Sequence, residues 1–362
     1  MPFVRILLFF LSLSIAKFSS ATDTSRIQVA LIIDVSTSMN GLIDQAKSQF
    51  WNISNQLQTL QKKNQVVHLE FALATVGNAA YYEDYSVFLH NGFVSDADSV
   101  FENLLSLKTS GSDENFGFAI QMLLERLKWS NKKSDLRLIF VAGNEAFNQG
   151  PVPYLGIIHV ASKKGILVNT IFCGQHQQGV DLLWKSASKE GRGEYHAILQ
   201  DSVSPVVSTP YDAKLRELNT QLNATYVPYG PEGRLQYERM LRFDQHAEIL
   251  GGRMLCNRLQ FKCMSSFFHP DWDYIDACRE KPELLKNMSD LQLPLLLKGM
   301  NEEERSVFFR KKMEQRDLLR KTMLGYAERM EEHLPKQNNR LLQEVMWSTI
   351  LEQARKKGFT EK

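Results

Sequence analysis

The chain has few cysteines: four in 362 residues, Cys173, Cys256, Cys263 and Cys278. That excludes a small scaffold held by disulfides, and Cys256-x6-Cys263 lacks both zinc-ligand spacing and a histidine pair. There is no glycine-rich phosphate loop, no G-x-G-x-x-G opening a helix, no H-E-x-x-H and no G-x-S-x-G. The eight histidines do not cluster at ligand spacing. No charge of either sign dominates. A formal net charge of +2, with 43% hydrophobic and 23% charged residues, describes an ordinary globular protein without a nucleic-acid bias. Beyond the first residues, no stretch is long and apolar enough to span a bilayer, which takes roughly 20 residues.

The first 21 residues stand apart. "MPFVR" carries one positive charge, "ILLFFLSLSIA" is an apolar stretch of eleven, and Ser19 and Ala21 place small residues at a cleavage position. This is the layout of a secretory signal peptide, with an uncleaved anchor as the competing reading. The mature protein is expected to be exported, periplasmic or secreted. Export permits a disulfide among Cys256, Cys263 and Cys278, with pairing left open, whereas Cys173 at a strand end reads as a buried thiol. "NIS", "NAT" and "NMS" at 52, 223 and 287 fit the N-glycosylation pattern, which carries no meaning in a bacterial host.

From Arg26 to about His196, strand and helix patterns alternate. "IQVALIID" (27–34), "VVHLEFALATVG" (66–77), "LRLIFVAG" (136–143) and "ILVNTIFCG" (166–174) are apolar runs suited to strands covered on both faces. Amphipathic segments lie between them, at 42–60, 96–107, 117–129, 152–165 and 180–191, and "EYHAI" (194–198) is the last strand. The alternation predicts an α/β, Rossmann-like doubly wound, mainly parallel sheet over 22–201. Ligands of such sheets bind beyond the carboxyl ends of the strands. "SVSPVVSTPYD" breaks the pattern, giving a linker at 202–211 and an all-α region at 212–362. Gly251-Gly252 interrupts one of its helices. The two last helices, about 301–334 and 339–358, are expected to pack against each other and the first domain.

"DVSTS" (34–38) ends the first strand. Alternate residues of a tight loop can turn into one pocket, so Asp34, Ser36 and Ser38 offer a carboxylate and two hydroxyls. Such an oxygen set suits a hard cation such as Mg²⁺. On spacing alone the plainer reading, Ser38 or Asn40 as a helix N-cap, comes first. "DWDYIDA" (271–277) reads as a capped short helix, with Asp271 as the cap, ahead of a second cation site.

A D-x-S-x-S motif closing the first strand of an alternating sheet resembles the metal-ion-dependent adhesion site (MIDAS) of von Willebrand factor type A (VWA) domains, over Arg26 to about Asp201. That resemblance implies two further loops. "TSGSDENFG" (109–117) supplies Asp113 as the matching ligand, with Thr109 second. "FVAGNEAFNQGP" (140–151) puts Gly143 where the family carries an aspartate, leaving Asn144 or Glu145 to reach inward. With "DQAKSQFWNISN", "VNTIFCG" and "NATYVPYGPEGR", that loop resembles an uncharacterised family of exported bacterial VWA proteins. The resemblance implies Mg²⁺, or Mn²⁺ or Ca²⁺, held by Asp34, Ser36, Ser38, Asp113, Asn144 and Glu145, and a protein ligand whose carboxylate completes the cation's shell. An assembly module with a degenerate site, working through its C-terminal helices, is the alternative. A metal-dependent hydrolase ranks third, because no general base or activated nucleophile accompanies the motif.

Overall fold

The computed structural model describes residues 25–63, 65–78, 80, 85–111, 113–198, 209–289, 291–333 and 342–361. The expected signal peptide, 1–21, and most of the expected linker, 202–211, lie outside these residues.

Six strands form the main sheet: β1 (Arg26–Asp34), β4 (His68–Val76), β5 (Phe88–Val94), β6 (Leu136–Gly143), β7 (Leu167–Cys173) and β8 (Arg192–Ile198), in the order β5-β4-β1-β6-β7-β8. All pairs are parallel except β4 with β5. Counted within this sheet the order is 3-2-1-4-5-6, so it reverses at β1, the switch point of a doubly wound fold. The expected mainly parallel α/β architecture is therefore the one observed. The edge strand β5 answers to no apolar run; its side chains are half-buried or exposed, and two register shifts separate its pairs with β4.

The period-two alternation of β1 divides the core. Ile27, Val29 and Ile33 face α1 (Asn40–Leu57) and α2 (Ala97–Ser106). Ala30 and Ile32 face α3 (Phe116–Arg126), α4 (Tyr154–Lys163) and α6 (Trp184–Glu190). Short β2 (Leu60–Lys62) and β3 (Gln65–Val66) form a hairpin, to which β9 (Thr360–Glu361) adds a third strand.

A third layer covers α1. It consists of α7 (Asp212–Asn223), α8 (Gly233–Ile249), α9 (Gly252–Cys263), α10 (Tyr274–Glu280), α11 (Leu284–Asn287), α12 (Glu302–His333) and α13 (Leu342–Lys356). Gly251, at φ +109°, separates α8 from α9 where the glycine pair predicted a break. The last two helices do not form the expected pair: α12 lies across α7 and α9, whereas α13 packs on α1 and β8. Asn169 and Gln353 exchange amide hydrogen bonds of 3.2 and 2.7 Å between β7 and α13. One apolar cluster runs from the sheet through α1 into α9, α12 and α13.

Buried ion networks hold this layer. Arg258 on α9 binds Asp98 on α2 and Asp244 on α8, and Lys262 binds Asp244, Asn219 and Asn223. Arg316 on α12 donates to Asp273 at 2.7 Å and Asp276 at 2.8 Å. The cap of α10 is Asp273, which accepts from the Asp276 amide, rather than Asp271. All four cysteines are free thiols, Cys173 buried among them. Asn223 is buried inside the Lys262 network, which leaves the "NAT" motif closed to modification.

Candidate metal centre above the sheet

β1 delivers Asp34 to the carboxyl end of the sheet with no exposed surface. The chain then turns sharply. The Val35 amide bonds the Val76 carbonyl at 2.9 Å, Met39 is buried beneath the turn, and the Ser36 amide donates to Asp34 Oδ1 at 2.7 Å. Ser36 is buried and Ser38 exposed, and their hydroxyl oxygens stand 3.2 Å apart. Neither serine side chain caps a helix; Ser36 stands at the N-cap position of a 3-10 turn, Thr37–Met39, without a side-chain bond. The cap of α1 is Met39, without a side-chain bond, and Asn40 instead accepts from Thr109 Oγ1 at 2.9 Å. The capping role that competed for these residues goes unused, so both hydroxyls remain available to the pocket.

The second loop is tied to the first. Ser110 N donates to the Val35 carbonyl at 2.8 Å, and Thr37 N to the Gly111 carbonyl at 3.3 Å. Asp113 is exposed, whereas its neighbour Glu114 is only 1% exposed. Neither Glu114 carboxylate oxygen has a partner in good hydrogen-bond geometry, nor has Asp34 Oδ2, although the Ser36 hydroxyl lies near enough to lower the Glu114 pKa a little. Burial, followed by the negative charges of Asp34 and Glu145, pushes the Glu114 carboxyl up to about 8. Burial also raises Asp34 to about 6, against the opposing pull of the Ser36 amide and hydroxyl and the Asn144 amide. Desolvation thus raises both carboxyl groups, and the Asp34 charge raises Glu114 further.

The third loop explains its missing aspartate. A Cβ on Gly143 would stand 2.9 Å from Asp34 Cβ and 3.0 Å from Asp34 Oδ2 and Phe116 Cζ. Across the strand, a Cβ on Gly77 would meet the Ser36 amide at 3.0 Å and Asp34 Oδ1 at 3.1 Å, and Gly77 also has φ +84°. Two glycines therefore flank Asp34 and let the backbone close around its carboxylate. The loop past Gly143 is held by Phe147, buried among Phe116, Tyr154 and Trp184, and by Trp184 Nε1 donating to the Glu145 carbonyl at 2.7 Å. Gln149 Oε1 accepts from the Glu114 amide at 3.4 Å, joining this loop to the second. Asn144 Nδ2 reaches Ser38 Oγ at 3.1 Å, and Glu145 is exposed at the rim.

Of the six residues expected from sequence, the structure draws Asp34, Ser36, Ser38 and Asn144 together, with Glu145 near and Asp113 turned outward. Glu114 was the residue missed. Its one sequence signal is a carboxylate opening "ENFG" at the start of an apolar helix, and that does not say which of two adjacent acids turns inward. Among the described residues there is no group of three or more His, Cys, Asp and Glu side chains able to hold a metal. The donors are two carboxylates, two hydroxyls and an amide, a set that fits a hard cation retaining several waters and not a soft one.

The chain matches no protein-family model and no curated protein. Among solved structures it is similar to BatB from Bacteroides thetaiotaomicron, at 16% identity over 48% of this chain and 90% of that one, with a TM-score of 0.38. It is likewise similar to proximal thread matrix protein 1 from the mussel byssus, with a zinc-occupied MIDAS motif, at 12% identity, 50% and 43% coverage and a TM-score of 0.38. The SpRpn10 VWA domain gives 16% identity, 49% and 89% coverage and a TM-score of 0.35. At these values the fold assignment rests on this chain's own strand order and register.

Proposed function

We propose that this chain, whose residues 26–198 form a von Willebrand factor type A fold, is an exported binding module that captures a carboxylate-bearing protein ligand through one divalent cation. The observation that carries the reading is a pair of buried carboxylates, Asp34 and Glu114, with three oxygens lacking a partner in good hydrogen-bond geometry at the switch point of the sheet. Buried polar atoms are ordinarily hydrogen-bonded, and a buried charge needs a counter-charge. Asp34, Glu114, Ser36 and Ser38 would hold the ion, Asn144 would orient Ser38, and Glu145 would guard the rim. Asp113 falls outside this set. When bound, the cation supplies the positive charge and the open coordination position that a ligand carboxylate fills. Mg²⁺ suits the donors, with Mn²⁺ or Ca²⁺ as substitutes.

Titrating Mg²⁺ or Mn²⁺ during thermal melting of chelated protein tests this. A cation at a hundred times its dissociation constant stabilises the fold by about 2.7 kcal/mol. The wild type should show that rise, and Asp34→Ala should melt at one temperature with or without metal. A wild type indifferent to both metals overturns the reading and leaves assembly through the helical layer, which the glycine at 143 favours.

A further inference from the structure

Net charge conceals how this chain's charges are distributed. In a parallel sheet every helix-to-strand turn lies at one end, and the registers Ile27 with Leu136, Leu138 with Leu167 and Val168 with Arg192 keep the strand starts level. At that end, opposite the Asp34 pocket, four turns each carry a lysine pair: Lys62-Lys63 after β2, Lys132-Lys133 before β6, Lys163-Lys164 before β7 and Lys356-Lys357 after α13. Six of these lysines are exposed, and Lys62 and Lys357 are half-buried.

The turns are bound to one another despite their charge. Lys357 Nζ donates to the Lys133 carbonyl at 2.7 Å, Lys62 Nζ to the Ser134 carbonyl at 2.6 Å, and Arg137 Nη1 to the Ser130 carbonyl at 2.7 Å. The Arg137 guanidinium also lies 2.9 Å from where a Cβ on Gly165 would stand, beside the third lysine pair. Burial lowers the ammonium pKa of Lys62 and Lys357, Asp135 opposes this, and repulsion from Lys357 and Lys63 on the first and from Arg137 on the second adds to it. The acids at this end are already engaged. Asp135 is buried and accepts from the Arg26 amide and the Ser130 hydroxyl, Glu70 pairs with Arg26, Glu352 with Lys356 and Glu361 with Arg355.

Three features narrow the partner. The charges are nearly all lysines on separate turn tips, point charges on flexible stems rather than forks arranged for one rigid anion. Among the described residues no exposed aromatic stands at these tips for a nucleic-acid base to stack on. A cleft of about 250 Å3 between Arg192, Lys356 and Lys357 also has room for a headgroup phosphate, beside Glu194, which is bonded to Thr349 and His196. We infer that this lysine-bearing end rests on a bilayer surface rich in anionic headgroups, so that the Asp34 pocket faces away from the membrane.

The test is co-sedimentation of the full chain with phosphatidylcholine vesicles, with and without phosphatidylglycerol, read as the ratio of the two partition coefficients. The neutral vesicles account for any contribution of Ile6–Ala16. The wild type should favour anionic vesicles, and added salt should erase the preference. Reversing Lys132, Lys133, Lys163 and Lys164 to Glu should cut the ratio several hundredfold, at roughly fivefold per lysine. The control Arg310→Glu/Lys311→Glu, on exposed α12 positions, should leave it unchanged, and circular dichroism melting should show both variants folded. Equal partitioning of the wild type, an unaffected quadruple variant, an equal loss in the control, or retention on a soluble polyanion without vesicle preference would each overturn the inference.

Discussion

Two groups of buried acids in one molecule meet opposite fates. Within the helical layer and at its seam with α2, Asp98, Asp244, Asp273 and Asp276 each face an arginine or lysine from another helix. Above the sheet, Asp34 and Glu114 face each other and two serines. Both arrangements desolvate carboxylates, at several kcal/mol per ion if uncompensated. The first is completed within the chain and serves to lock helices together. The second meets no cationic side chain among the described residues, which is the observation that the proposed cation site rests on.

The largest test of the contrast removes a counter-charge. Arg316→Met keeps most of the buried stem but strands Asp273 and Asp276, and should cost about 3–5 kcal/mol in urea denaturation. Gly143→Asp tries to restore the family's third-loop ligand. Because a Cβ there collides with Asp34 and Phe116, it should destabilise by about 2–3 kcal/mol without strengthening the cation-induced rise in melting temperature.

The Asp34 site and the Asp244 network should also answer pH with opposite signs. In the chelated protein, Asp34 and Glu114 carry raised carboxyl pKa values, so between the unfolded value near 4 and the folded values of about 6 and about 8 the folded state holds more protons. Stability from this site should therefore rise as pH falls from 8 to 5, by about 2 kcal/mol once solvent screening is allowed for. Lys262 and Arg258 hold Asp244 below its usual range, against the cost of burial. Its contribution is present above the unfolded value and is lost only in stronger acid. Glu114→Gln should flatten the first dependence, and melting curves across pH with excess chelator check it. The smallest effect belongs to Asp113→Asn, which should alter stability by no more than about 0.5 kcal/mol and leave the metal response intact. Loss of that response in Asp113→Asn, together with its survival in Glu114→Gln, would return the second loop's role to Asp113.

Much of the frame is legible because it is written locally. The apolar run 27–34, the glycine pair at 251–252 and the D-x-S-x-S turn each report on their own neighbours. β5 escapes this reading since an edge strand needs no continuous apolar run. The departure of α12 from α13 escapes it as well, because amphipathic faces specify that a helix packs and not against what.

Sequence alone determined the alternation that builds a doubly wound sheet and the oxygen-bearing turn at its first strand, since both follow from side-chain period and turn chemistry. Only the tertiary structure decided that Glu114 rather than Asp113 joins Asp34, that Arg316 answers Asp273, and that four lysine pairs share one end. Those outcomes depend on which side chains of distant segments lose water together, and desolvation belongs to the packed molecule, not to any stretch of chain.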